Sequence, residues 1–258
     1  MIKNSLRRVW RTKASIFVRN LIGVRPIYRR WHLLERSYSA SDQFLWRTDN
    51  DFQTEFRVSD IVGKYYQEKS YLRVHIFDRF GREINCFKRD FEKTVESIFI
   101  DENNAEPDSY GTFCVFHIPK QDAKISYAIT NRCYTGYSRL GSIPSFVHGN
   151  LLSKICILGD ENSYKVLSGF INHKKKTEFY IQKDLNDFEQ SELVFTNPLE
   201  TSLNMMVGEK SVKLQPGEVR LINIGGHLSL PFKITSDFFF PRPIIFSYRK
   251  NFFDVHHA

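Results

Sequence analysis

Hydrophobic and polar residues alternate along most of this chain from about Phe44 onward, in short runs punctuated by Gly, Pro, Asn and Asp. An alternation of period two puts successive side chains on opposite faces of an extended strand, so each run predicts a half-buried β-strand. The first half of the pattern predicts strands at 54–58, 71–77, 95–100, 111–118 and 125–130. The second half predicts strands at 177–182, 192–196, 202–207, 211–214, 218–224, 228–235 and 244–248. Asp78-Arg79-Phe80-Gly81, Gln215-Pro216-Gly217 and Gly225-Gly226 supply turns between them. Many short strands, with no long helix among them, predict an all-β fold of antiparallel sandwiches.

Parts of the two halves also match. Thr54-Glu55-Phe56 recurs as Thr177-Glu178-Phe179, the run 72–76 answers to 193–197, Ile129-Thr130-Asn131 to Ile234-Thr235-Ser236, and Val147-His148 to Val255-His256. The order is kept. Read as an internal duplication, these matches predict two tandem antiparallel β-sandwich units, 44–150 and 177–258. Between them, 151–176 is an ordered connection, because Ile155-Cys156-Ile157-Leu158 is too apolar for a solvated linker.

Residues 1–43 follow a different rhythm. At 100° per residue, Ile2, Leu6, Val9, Trp10, Ile16 and Phe17 gather on one side, while Lys3, Arg7, Arg8, Arg11 and Arg19 gather on the other. This predicts a basic N-terminal amphipathic helix as a leader to the sandwiches. Arg7, Arg8, Trp10, Arg11 and Phe17 are the residues it would lay on an anionic membrane surface, where apolar insertion and charge attraction add.

Charge sharpens that division. The chain carries 37 Lys and Arg against 29 Asp and Glu, a net +8. Ten of the basic residues and one acidic residue lie within residues 1–36, so that stretch is +9 and the remaining 222 residues are −1. A neutral body with no basic stripe argues against nucleic acid as a partner. No apolar run reaches the length that crosses a bilayer, and 14–18 is too short for a secretory signal core.

Chemistry is sparsely signalled. The chain has no GxSxG, P-loop, GxGxxG or HExxH, and its four cysteines show no CxxC spacing, so they read as buried free thiols. Zinc accepts the residue types of His148, Asp254, His256 and His257, but without ligand spacing, and neither a metal nor a cofactor is expected. His75 reads as an ordinary strand residue. The richest local chemistry closes each half, where aromatic, Arg and His residues lie together. Aromatic faces flanked by such groups hold sugar rings, so Tyr137, Arg139, His148, Arg242, Arg249 and His256 are the candidate ligand-binding residues. The expectation is a non-catalytic binding or assembly module for a glycan or glycoconjugate, cytoplasmic and peripheral at a membrane. The alternatives are an enzyme acting on a carbohydrate or polar metabolite through a His acid–base group, and a structural adaptor between proteins.

Overall fold

The structure, a computed structural model, describes residues 12, 14–15, 18, 37–120, 128–131, 133–149, 152–159, 163–166, 176–181, 188–225, 232–237, 242–250 and 252–257. These residues are nearly all β. The chain begins its strands with β1 (Tyr38–Asp42), β2 (Phe44–Arg47), β3 (Phe52–Ser59), β4 (Ser70–Phe77) and β5 (Glu83–Asp90). It continues with β6 (Val95–Ile100), β7 (Tyr110–Pro119), β8 (Ala128–Asn131), β9 (Tyr134–Arg139), β10 (Ser145–His148), β11 (Leu152–Ile157) and β12 (Lys165–Val166). The last strands are β13 (Thr177–Ile181), β14 (Gln190–Thr196), β15 (Leu203–Val207), β16 (Lys210–Leu214), β17 (Val219–Gly225), β18 (Phe232–Ser236), β19 (Ile244–Arg249) and β20 (Phe252–His257). One short helix, α1 (Ile61–Tyr66), is capped by the Asp60 carboxylate, which accepts from the Gly63 amide at 2.8 Å.

The strands form five four-stranded sheets. Sheet I runs β12-β11-β1-β8, sheet II β2-β7-β4-β5, sheet III β10-β9-β3-β6, sheet IV β17-β14-β19-β20 and sheet V β13-β18-β15-β16. Each packs on the next. Phe77, Phe116 and Cys156 fill the space between I and II, and Trp46, Phe56, Leu72 and Phe113 that between II and III. Phe52, Tyr137, Phe246 and Val255 join III to IV, and Leu193, Phe195, Leu203 and Met205 join IV to V. The path returns on itself where Lys154 and Tyr164 of the sheet I region share a cleft with Asn197 and Glu200. Five small sheets in a ring are the blades of a five-bladed β-propeller, threaded so that no blade is a run of four consecutive strands.

The expectation of two tandem β-sandwich units is therefore corrected. Two separate sandwiches would leave the outer face of every sheet to water or to a loop. Here sheet II is covered on one face by sheet III and on the other by sheet I, and sheet IV lies between III and V. Central strands β7 and β14 are accordingly buried along most of their length, without alternation. Blade I also takes strands from both sides of the expected first unit, with β1 parallel to β8 and antiparallel to β11.

The sequence matches do not mark equivalent strands either. Blades V and IV repeat the threading of II and III, with β13–β18 in the places of β2–β7, and β19 and β20 in those of β9 and β10. Yet Thr54-Glu55-Phe56 lies on β3, whose counterpart is β14, whereas Thr177-Glu178-Phe179 lies on β13. The run 72–76 on β4 likewise faces the wrong partner, and Ile129-Thr130-Asn131 on β8 belongs to blade I. Only Val147-His148 and Val255-His256, on β10 and β20, fall in corresponding positions.

The amphipathic leader gains no support. Arg7, Arg8, Trp10, Arg11 and Phe17 lie outside the described residues. No helix among the described residues is long and apolar enough to cross a membrane.

Candidate functional site

Blade III meets both neighbours through one face, Phe56 packing towards blade II and Phe52 towards blade IV, so its other face is open and its register decides what lies there. Along β3 the even-numbered residues from Phe52 to Val58 turn inward, while Gln53, Glu55, Arg57 and Ser59 turn out. The cross-strand register continues the outward set over all four strands in two rows. One row is Phe146–Gly136–Glu55–Phe99, the other His148–Tyr134–Arg57–Ser97. Side chains opposite one another in adjacent strands are in contact range, so each row is a continuous surface.

That surface combines exposed aromatics with an ordered ionic pair. Phe99 is 54% exposed and Tyr134 56%. Arg57 donates to Glu55 Oε1 at 2.8 Å, Ser97 Oγ donates to the same oxygen at 2.7 Å, and the Arg57 guanidinium lies 4.6 Å above the Phe146 ring. Partial burial works against the Glu55 charge, but the bonds from Arg57 and Ser97 outweigh it and hold the carboxyl below its ordinary pKa. Gly136 makes room for the Phe146 ring, since a Cβ there would stand 2.5 Å from Phe146 Cε1. At the end of the same blade a cleft of about 830 Å³ opens, lined by Asn50, Gln53, Asp101 and Asn103 among others. Its size suits a small-molecule ligand.

The seam between blades III and IV flanks this face. Edge strands β10 and β20 lie side by side, with the His148 and His257 rings 4.5 Å apart. His257 Nε2 donates to the His148 carbonyl at 2.7 Å, and His148 Nδ1 donates to the Gly149 carbonyl at 2.8 Å. Burial, with the neighbouring His148 and Arg242 charges, holds the His257 pKa down to about 4. His256 Nδ1 stands 3.6 Å from Asp254.

The six candidate ligand-binding residues are thus distributed unevenly. His148 is exposed on the open face, while Arg242 and His256 are half-buried at the seam. Tyr137 is fully buried, its hydroxyl donating to the Leu45 carbonyl at 2.9 Å and its ring edge-on to Phe246, so it is a core residue. Arg139 turns away to donate to the Asn50 carbonyl at 2.8 Å. Arg249 is exposed at the β19–β20 hairpin, on blade IV. Glu55, Arg57 and Phe99 were missed. Their signal was an aromatic and an ion pair on the outward positions of strands whose other face is plainly core.

A second cluster lies on blade II. His75, Glu83 and Cys86 bring their side-chain donor atoms within 4.8 Å of one another, the one group of potential metal ligands among the described residues. All four cysteines are free thiols. Cys86 and Cys114 both stand opposite His75, from β5 and β7 on its two sides, so strand β4 separates them and they cannot pair.

No protein-family model matches the chain, and no curated protein matches it.

Proposed function

We propose that the protein is a binding module that holds a glycan or glycoconjugate on the open face of blade III. The observation that carries this reading is the alignment of exposed Phe99 and Tyr134 with Arg57, Glu55 and His148 in adjacent rows of one sheet. The aromatic faces supply apolar stacking for a sugar ring, and the ion pair and imidazole supply directed hydrogen bonds for its hydroxyls. An acid–base role for His148 is less well supported, because its ring contacts the Gly149 carbonyl, the His257 imidazole and the Tyr134 ring, with no carboxylate among them. The +9 stretch over residues 1–36 supports a second contact, with anionic lipid headgroups, that would keep the module peripheral at a cytoplasmic membrane surface.

The test is a titration of the full chain with a panel of soluble oligosaccharides, repeated with Tyr134→Ala and Arg57→Ala. Both substitutions are at exposed positions, so binding should weaken at least tenfold while the melting temperature stays unchanged. Equal binding by both variants, or no binding by any oligosaccharide, would reject the reading. Sedimentation with phosphatidylserine vesicles, with and without residues 1–36, tests the membrane contact separately.

A further inference from the structure

The cluster on blade II is ordered as a relay. His75 and Cys86 are directly opposite in the β4–β5 register, which puts both on the face that meets blade I. A bulge between Ile76 and Phe77 shifts the register by one, so that Phe77 faces Glu83 and the Glu83 side chain joins the same face. Glu83 Oε2 then lies 3.2 Å from His75 Nδ1, and Cys86 Sγ lies 3.8 Å from His75 Nε2. A carboxylate on Nδ1 fixes the proton there and leaves the Nε2 lone pair facing the thiol.

Two readings of such a trio compete. A metal ion needs one donor from each residue, but Glu83 and Cys86 address opposite nitrogens of one ring, and an ion binds only one of them. Arg73 and Lys154, moreover, add positive charge at His75, which disfavours a bound cation. Cys86 is partly exposed, as a reactive thiol must be. Tyr164 completes the surroundings with its ring 5.0 Å from His75 and a hydrogen bond to Glu83. With Lys154 and Phe77 it also lines a cleft of about 180 Å³.

We infer that Cys86 is a nucleophile that accepts an acyl group from an activated ester or thioester, with His75 as its general base and Glu83 as the positioning residue. The Cys86 thiol gives its proton to His75 Nε2 as sulfur bonds to the acyl carbon. The ester oxygen or thioester sulfur then leaves with that proton, and a thioester remains on Cys86. No oxidation state changes. The groups that face the relay, and so shape its pH dependence, are Arg73 on β4, Glu83 and Cys86 on β5, Cys114 on β7, Lys154 on β11 and Tyr164 before β12. The site is on a different blade from the proposed glycan face and stands or falls independently of it.

The experiment treats the full chain with p-nitrophenyl acetate and maps the acetylated peptide. A burst of one equivalent of nitrophenolate per chain is expected, with the acetyl group on Cys86 and no burst in Cys86→Ser. Glu83→Gln, at a partly exposed position, should slow the burst and shift its pH profile, and His75→Gln should slow it at least tenfold. Acetylation spread over surface lysines, or wild-type rates in Glu83→Gln and in folded His75→Gln, would overturn the proposal. So would stoichiometric binding of added zinc chloride that protects Cys86 and needs all three residues, which would establish the metal reading instead.

Discussion

Arg47 of blade II and Glu192 of blade IV form an ion pair of 2.6 Å with both side chains nearly excluded from water. Arg47 also donates to Asp49 at 2.7 and 2.8 Å, and its guanidinium is sandwiched between Phe52 and Phe246 at 4.4 and 4.6 Å. The Tyr248 hydroxyl donates to Glu192 as well. Burial works to lower the Arg47 pKa, but Asp49, Tyr248 and Glu192 outweigh it and keep the group charged. Removing Glu192 leaves Arg47 paired with Asp49 alone and takes the acceptor from the Tyr248 hydroxyl, so Glu192→Ala should cost about 1–3 kcal/mol in urea unfolding. The double variant Arg47→Met with Glu192→Met should lose much less than the sum of the two single losses.

His117 is fully buried on β7, with its ring stacked 5.7 Å from Phe91. Burial lowers its pKa from 6.5 to about 4. Between those values the unfolded chain binds a proton that the folded chain refuses, so stability falls as pH drops from 6.5 towards 4 and levels off below. His257 has the same sign. The full effect of His117 is roughly 3 kcal/mol. Melting temperatures of wild type and His117→Leu across this window should differ in slope, the variant being flatter.

Gly111 of β7 lies where the Trp46 indole donates to the Phe77 carbonyl at 2.9 Å. A Cβ there would stand 2.1 Å from that oxygen and 2.8 Å from the indole nitrogen. Gly111→Ala should therefore destabilise the fold by about 1–3 kcal/mol, read as a lowered urea midpoint.

Gly136 tests the open face from beneath. Gly136→Ala displaces the Phe146 ring, and with it the surface on which the Arg57 guanidinium rests. Oligosaccharide affinity should fall several-fold in this variant and in Phe146→Ala, measured by calorimetric titration. Phe252→Ala, an exposed aromatic on blade IV, should leave it unchanged.

Strand positions were legible because alternation is local. Residues 95–100 and 71–77 were placed to within a residue of β6 and β4. Strand partners were not legible, since alternation tells which face is buried and not which sheet buries it. Strand β5 was missed because its run, Glu83 to Asp90, is charged and largely exposed at a sheet edge. The open face of blade III was half visible, through His148, while Glu55 and Arg57 needed the register to join it. The blade II relay was invisible, because it depends on a bulge that brings Glu83 to the side of Cys86.

Strand β1 is held on one side by β8 and on the other by β11. During synthesis it therefore leaves the ribosome with both edges unpaired until residues 128–131 and 152–157 have followed. The nascent chain must carry a strand with an unpaired backbone edge through the completion of blades II and III. That delay makes early translation the period of greatest aggregation risk, and a chain truncated before residue 152 should need chaperone protection that the full-length protein does not.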